Sequence, residues 1–437
     1  MVFRRWPVLL ITFLTGCALY SDVAITPLFT TGVKIERAST LFEMVETGEF
    51  GRACSHARFL DGNPKASARE LAALGRAEMA SNRLDHARKH LRAALDLKPT
   101  RELEADISWD LSQTEYLANN FASSREWADQ AIRRGMQIRQ WHLDYLDSLS
   151  EVDVYRIEGP KRERVQMRFG KPDIPRIQAT INGRSPATAV IDSGAVLSII
   201  SEELAAIAGA RPLGEFKGTF YGLLGEPIPV SFGLLESLQV GDLRIANVPV
   251  AIMPDDKLHF FVHNDEPFRM DLLIGANLLK EFRVEMDFRS SWIEFTPLTA
   301  AMRRPTEEQN IFFLGFRPLV QASINQRGWY LFLIDTGSEV TFLNGTSLSK
   351  TNVRHSPRIH GALLQGLGGS QQRGSKIENV NVGVDRWSGA FKTLPLYGSE
   401  TNDALGIIGQ NFLKNFRVVI DFGTMRLDLL PPGGLLR

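Results

Sequence analysis

The chain has 437 residues, with 50 basic side chains against 50 acidic ones, so its formal charge is zero. That balance leaves no basic stripe for nucleic acid, and the length allows two or three domains with ordinary cores. Two cysteines are too few for a disulfide framework or a thiol-built metal site.

Arg4 and Arg5 precede the apolar stretch Trp6–Leu14, which runs into Leu14-Thr15-Gly16-Cys17. The stretch falls far short of the ~20 residues a spanning helix needs, and its layout is that of a secretory signal. The closing Leu-Thr-Gly-Cys resembles the bacterial lipobox. That resemblance implies that residues 1–17 form a leader, with Cys17 lipidated and exposed as the new N-terminus. Ala18 after the cysteine implies the outer membrane, with a periplasm-facing protein held to the bilayer by lipid alone. Cys54 is then the one remaining thiol, read as a small buried helix residue.

Residues 34–148 read as a helical domain. Leu71, Leu74, Gly75, Ala87, Leu91, Ala94 and Pro99 follow the spacing of a 34-residue tetratricopeptide repeat. Leu111, Phe121, Ser124 and Ala131 give a second copy, and Gly48, Phe50, Ala53, Ala57 and Leu60 a weaker first one. The alternative on the same amphipathic pattern is a generic bundle of α-hairpins. Stacked repeats would present a concave surface to a protein partner or an extended peptide. Residues 150–165, rich in charge, read as a polar bridge, and 299–310 as a linker.

The rest of the chain says one thing twice. Residues 177–194 read IQATINGRSPATAVIDSG and residues 320–337 read VQASINQRGWYLFLIDTG, so Asp192 and Asp335 stand 143 positions apart, as do Asn182 and Asn325. The duplication continues in LLIGANLLKEFRVEMDF (272–288) and GIIGQNFLKNFRVVIDF (406–422), now at an offset of 134. Each copy predicts an apolar run, a glycine, a helical turn and a strand. Two lobes, 165–298 and 311–432, are expected, each supplying one carboxylate. Ala189–Ile191 and Phe332–Ile334 predict buried strands that hold the acids at rigid ends. Gly194 and Gly337 let the chain turn and offer N–H groups to the carboxylates. The hydroxyls of Ser193 and Thr336 are placed to bond backbone across the lobe interface.

These paired motifs resemble the pepsin and retropepsin superfamily of aspartic peptidases, over about residues 165–432. The short lobes look closer to a retropepsin subunit than to a pepsin lobe. Ala195 stands where pepsins usually carry a hydroxyl, whereas the second lobe keeps Ser338. The resemblance implies an all-β, two-lobed domain behind the helices, a catalytic dyad of Asp192 and Asp335, and support from Ser193, Gly194, Thr336, Gly337 and Ser338. It also implies peptide-bond hydrolysis by an activated water, without cofactor or metal, in a monomer that contains both lobes.

Residues 218–225 (GTFYGLLG) and 361–368 (GALLQGLG) suit two flap hairpins, with Tyr221, Gly222, Gly366 and Gly368 as substrate-binding candidates. His259 and His263 have a metal-like spacing if helical, but lack a third ligand. Arg283, Asp287, Arg417 and Asp421 recur as pairs and read as structural. The helices are expected to choose what is cut and to be dispensable for chemistry. The competing reading is a catalytically silent peptide-binding or scaffold protein of the envelope. Loss of one aspartate, the usual mark of such a protein, is not found.

Overall fold

The computed structural model describes residues 10–11, 15–16, 23–28, 38–222, 226–262, 266–345, 351, 353, 360–365, 371–397 and 404–431. Cys17, His263, Gly366 and Gly368 lie outside the described residues. An α-helical domain is followed by an all-β region of two barrel-like lobes.

Among the described residues eight helices lead: α1 (Leu41–Thr47), α2 (Phe50–Cys54), α3 (Ala57–Leu60), α4 (Ala68–Ala80), α5 (Leu84–Asp96), α6 (Arg101–Leu117), α7 (Phe121–Arg133) and α8 (Gln140–Leu149). Three of these starts, those of α1, α4 and α6, carry a side-chain cap. Ser67 and Glu70 form a reciprocal capping box at α4, and Thr100 accepts the Leu103 N–H at α6. Gly75 lets α5 approach α4, since a Cβ there would lie 2.6 Å from Leu91 Cγ. No helix among the described residues is long and apolar enough to cross a membrane.

Each lobe closes on itself. In the first, strands 176–181, 185–191, 272–274, 198–201, 243–253 and 227–240 pair in that order and return to 176–181. In the second, 317–324, 327–334, 406–408, 342–344, 387–397 and 371–384 close the same circuit. Closure removes open sheet edges, which is why two short lobes can each bury a core. The recurring Asn182 and Asn325 turn the first hairpin of each lobe with φ of 51° and 49°, a left-handed conformation asparagine tolerates.

The lobes share a five-stranded antiparallel sheet, ordered 163–166, 292–297, 282–287, 417–421 and 426–430. At its centre Arg283 stands opposite Asp421 and Asp287 opposite Arg417. The buried carboxylate of Glu285 binds both Arg283 and Arg417. The repeated Arg and Asp residues therefore meet across the pseudo-twofold of the lobe interface.

One segment differs from the sequence reading, and one to which it assigned nothing joins a sheet. The stretch 150–165 is not merely a bridge: Arg156–Glu158 pairs with the strand Leu243–Met253, and Glu163–Gln166 forms the edge of the shared sheet. Its charges mark a half-exposed edge, where the Arg164 guanidinium lies 3.8 Å from the centre of the Trp292 ring and bonds Glu294. Likewise Ala24–Pro27 adds an antiparallel edge strand to the second lobe, against Trp387–Ala390.

The helices are not a separate module. One buried apolar cluster runs from Ala66 in the helical domain to Leu429 in the shared sheet. Phe50 meets Phe312 at 5.6 Å, Tyr116 meets Phe316 at 4.3 Å, and Trp141 stacks on Phe232 at 5.7 Å. Between them Lys280 Nζ donates to Asn119 Oδ1 (2.6 Å), the Leu117 carbonyl (3.2 Å) and Glu281 Oε1 (2.6 Å). Arg303 also binds Glu281. Burial would raise the Glu281 carboxyl, but Lys280 and Arg303 outweigh it and hold its pKa down to about 2. This shared core runs against the expected dispensability of the helices. Removing them would expose aromatic surface on both lobes.

Candidate active site

The strands Ser185–Ile191 and Arg327–Ile334 deliver Asp192 and Asp335 to the lobe interface, both fully buried. In each lobe a later strand runs parallel to the aspartate-bearing one and seals it from below. Leu272–Ile274 takes the Asp192 N–H on the Ile274 carbonyl (3.0 Å), and Gly406–Ile408 takes the Asp335 N–H on Ile408 (3.1 Å). Gly275 and Gly409 follow at once. A Cβ on Gly275 would lie 2.6 Å from the Leu197 carbonyl oxygen, and one on Gly409 2.4 Å from that of Val340. Glycine is therefore required where the two segments cross.

The two loops lock each other. Ser193 Oγ donates to the Ile334 carbonyl (2.7 Å) and accepts the Thr336 N–H (3.2 Å). Thr336 Oγ1 donates to the Ile191 carbonyl (2.8 Å) and accepts the Ser193 N–H (3.0 Å). Four buried bonds thus set the separation of the acids. Gly337 lies flat against Asp192, since a Cβ there would sit 2.5 Å from its Cγ.

Asp192 Oδ1 accepts the N–H groups of Gly194 (2.8 Å) and Ala195 (3.1 Å). The Asp192 carboxyl is nevertheless held well above the usual carboxylate range. Burial is the largest cause, followed by the like charge of Asp335 and a hydrogen bond with it; the Gly194 and Ala195 N–H groups oppose the shift. Two desolvated acids in contact share a proton, which leaves one as a base and the other as an acid. Ser338 is used within its own loop, its hydroxyl donating to the Val340 carbonyl (2.9 Å).

A second layer, also repeated between the lobes, braces these loops. Asn277 Oδ1 accepts the Ser198 N–H (2.7 Å), and Asn411 Oδ1 accepts the Thr341 N–H (2.8 Å). Ser198 Oγ and Thr341 Oγ1 then accept the N–H groups of Gly275 (3.1 Å) and Gly409 (3.0 Å). Asn277 and Asn411 keep the 134 offset, Ser198 and Thr341 the 143 offset, so the signal was present.

The first candidate flap segment lies on the hairpin of Gly218–Gly222 and Pro227–Val240, with the Gly222 N–H bonded to the Glu226 carbonyl at 3.0 Å. Tyr221 sits on it, but its hydroxyl meets Arg139 of the helical domain (3.3 Å). Both candidate flap segments also pair with extended backbone from residues 10–16. Leu10–Ile11 runs parallel to Tyr221–Gly222, and Thr15–Gly16 antiparallel to Leu364–Gln365. His259 lies on a strand, so the helical spacing considered for metal binding does not arise.

Parts of the chain are similar to known proteins. A family model described as aspartyl protease matches residues 177–278. A retropepsin-like aspartic protease from Rickettsia conorii is similar at 15% identity, over 32% of this chain and 93% of that one, with a TM-score of 0.21. An aspartic proteinase from Irpex lacteus is similar at 10% identity, over 62% and 98% of the respective chains, with a TM-score of 0.36. No curated protein matches the chain. Two closed lobes with paired Asp-Ser/Thr-Gly loops define an aspartic-peptidase fold.

Proposed function

We propose that the protein is an aspartic endopeptidase of the bacterial envelope, acting as a monomer and anchored through a lipid on Cys17. The observation that carries the chemistry is the reciprocal locking of two carboxyl-bearing loops, with both acids buried and Asp192 shifted upward first by burial and then by its partner. The ionised member of the pair takes a proton from water as it attacks the scissile carbonyl. The protonated member polarises the carbonyl oxygen and later helps to protonate the leaving amine. Main-chain pairing along both flap strands supports an extended peptide as substrate.

The anchor reading rests on the Arg-Arg, apolar run, Leu-Thr-Gly-Cys order. Cleavage before Cys17 would remove residues 10–16 and free both flap edges. Ala24 begins a strand of the second lobe, so seven residue steps from Cys17, at most about 25 Å, would hold that lobe near the bilayer. The helical domain recruits a protein substrate or an envelope partner.

Incubating the purified protein with a peptide library tests the chemistry. Asp192→Asn and Asp335→Asn should each abolish cleavage, and the double variant should be hardly worse. Substantial cleavage by Asp335→Asn would defeat the shared-proton reading. Cys17→Ser should move the protein to the soluble fraction. Retention on membranes after a high-salt wash would defeat the lipid anchor.

A further inference from the structure

We infer that Arg139 and Trp141, at the start of the last helix of the helical domain, are positioning residues for the first flap. The inference deepens the peptidase reading, since it concerns how that site closes on a peptide.

The contact has an apolar and a polar half. The Trp141 ring stacks on Phe232 with 16° between the planes and faces Phe220 at 6.5 Å. These phenylalanines belong to the two strands of the flap hairpin, Phe220 to Gly218–Gly222 and Phe232 to Pro227–Val240. Gly218 makes room for the indole, since a Cβ there would lie 3.3 Å from Trp141 Cδ2 and 2.8 Å from Phe232 Cζ. Tyr145, one helical turn beyond Trp141, packs on the same Phe232 at 5.1 Å. The stem of the flap is thus seated on α8 rather than free.

Arg139 precedes the helix as its N-cap residue. Its Nη2 donates to the Tyr221 hydroxyl (3.3 Å), and its guanidinium carbon lies 5.9 Å from the centre of the Tyr221 ring. Tyr221 is the residue before Gly222, whose N–H closes the flap turn on Glu226. One exposed cation therefore grips the flap at the root of its tip, while both acids stand fully buried at the lobe interface. On the peptidase reading the first flap closes over the dyad, so substrate entry requires it to move. A stem held at one side moves as a hinge, not as a loose loop. The helical domain then sets how firmly the flap closes on a bound peptide, without touching the reacting atoms.

Hydrogen exchange by mass spectrometry on the intact protein tests the contact without needing turnover. Arg139→Ala should speed amide exchange in 218–222 and leave the shared sheet 282–287 unchanged, and Arg139→Lys should restore much of the protection. Calorimetry with a statine-containing peptide reads the consequence: Arg139→Ala should weaken binding about fivefold, the scale of one exposed cation–aromatic contact. Where the protein cleaves peptides, KM should rise by the same factor with kcat little changed. Tyr221→Phe removes the hydroxyl and keeps the ring, so it should reproduce part of the loss and make Arg139→Ala less costly. Unchanged exchange in 218–222 would overturn the inference, whatever the activity. Faster exchange with statine-peptide binding within twofold of the parent would overturn it too, because the contact would be structural only. Failure of the parent to cleave any peptide, with the exchange result intact, would count against the peptidase reading and not against the flap contact.

Discussion

Thr336→Val is the sharpest test of the lobe interface, because it replaces one hydroxyl by a methyl and changes almost nothing of shape. Thr336 is fully buried, and its hydroxyl both donates to Ile191 and accepts from Ser193. Valine fills the same volume with a methyl group, so no cavity term enters. What is lost is the partner of a buried carbonyl in the first lobe and of a buried N–H beside Asp192. Leaving each such group unmade costs about 1–3 kcal/mol, so the variant should be about 2–6 kcal/mol less stable. Urea unfolding at matched m-values measures it, with Thr336→Ser as the control that keeps the hydroxyl. The same change lets the two loops drift, and a displacement of about 1 Å costs roughly 10²-fold in rate. Peptide turnover should therefore fall more steeply than stability alone requires. By the pseudo-symmetry Ser193→Ala should act alike, and the double variant should cost less than the sum, since the residues share one network. If Thr336→Val lay within about 1 kcal/mol of both parent and Thr336→Ser, the loops would not be held by these bonds.

Three further outcomes follow from the geometry. Gly337→Ala drives a methyl to 2.5 Å from Asp192 Cγ, while that carboxyl is pinned by two N–H bonds; kcat/KM should drop at least about 10²-fold, and retention of a tenth of parental activity would refute the packing argument. Asp192→Asn should raise Tm at pH 7. Its folded pKa is raised, so the native state holds a proton that the unfolded chain releases, and the group's contribution falls as pH rises above the ordinary carboxylate value. Calorimetry should show the gain shrinking toward pH 3; a lower Tm at pH 7 would contradict it. Glu281→Gln should do the opposite. Its pKa is depressed to about 2, so its stabilisation is full above the ordinary value of 4.5 and disappears as pH falls through 2. The variant should melt earlier at pH 7 and match the parent near pH 2, and an equal deficit at both would assign the effect to packing.

Much of the site was legible because the chain states it twice. Asp192 and Asp335, the hydroxyls behind them and the glycines beneath them recur at fixed offsets, and each acts through neighbours only a few residues away or in the matching copy. Apolar runs such as Phe332–Ile334 are buried on every side, so composition alone names them as central strands. The Asn277 and Asn411 brackets were equally repeated, and became meaningful once their distances to Ser198 and Thr341 were known. Other features had no such signal. Glu163–Gln166 and Arg156–Glu158 carry the charges of a solvated edge, and an edge strand reads like a linker until its partner strand, far along the chain, is in place. Tyr221 could be placed on a flap, but its attachment to Arg139 spans 82 positions and has no periodicity to announce it. The same holds for Lys280, which recurs as Lys414: the first binds the helical domain, the second Asp173 of the other lobe. Duplication and local backbone chemistry determine where the acids lie and how they are held. Which surfaces meet depends on shape complementarity between elements distant in the chain, and that the tertiary structure alone decided.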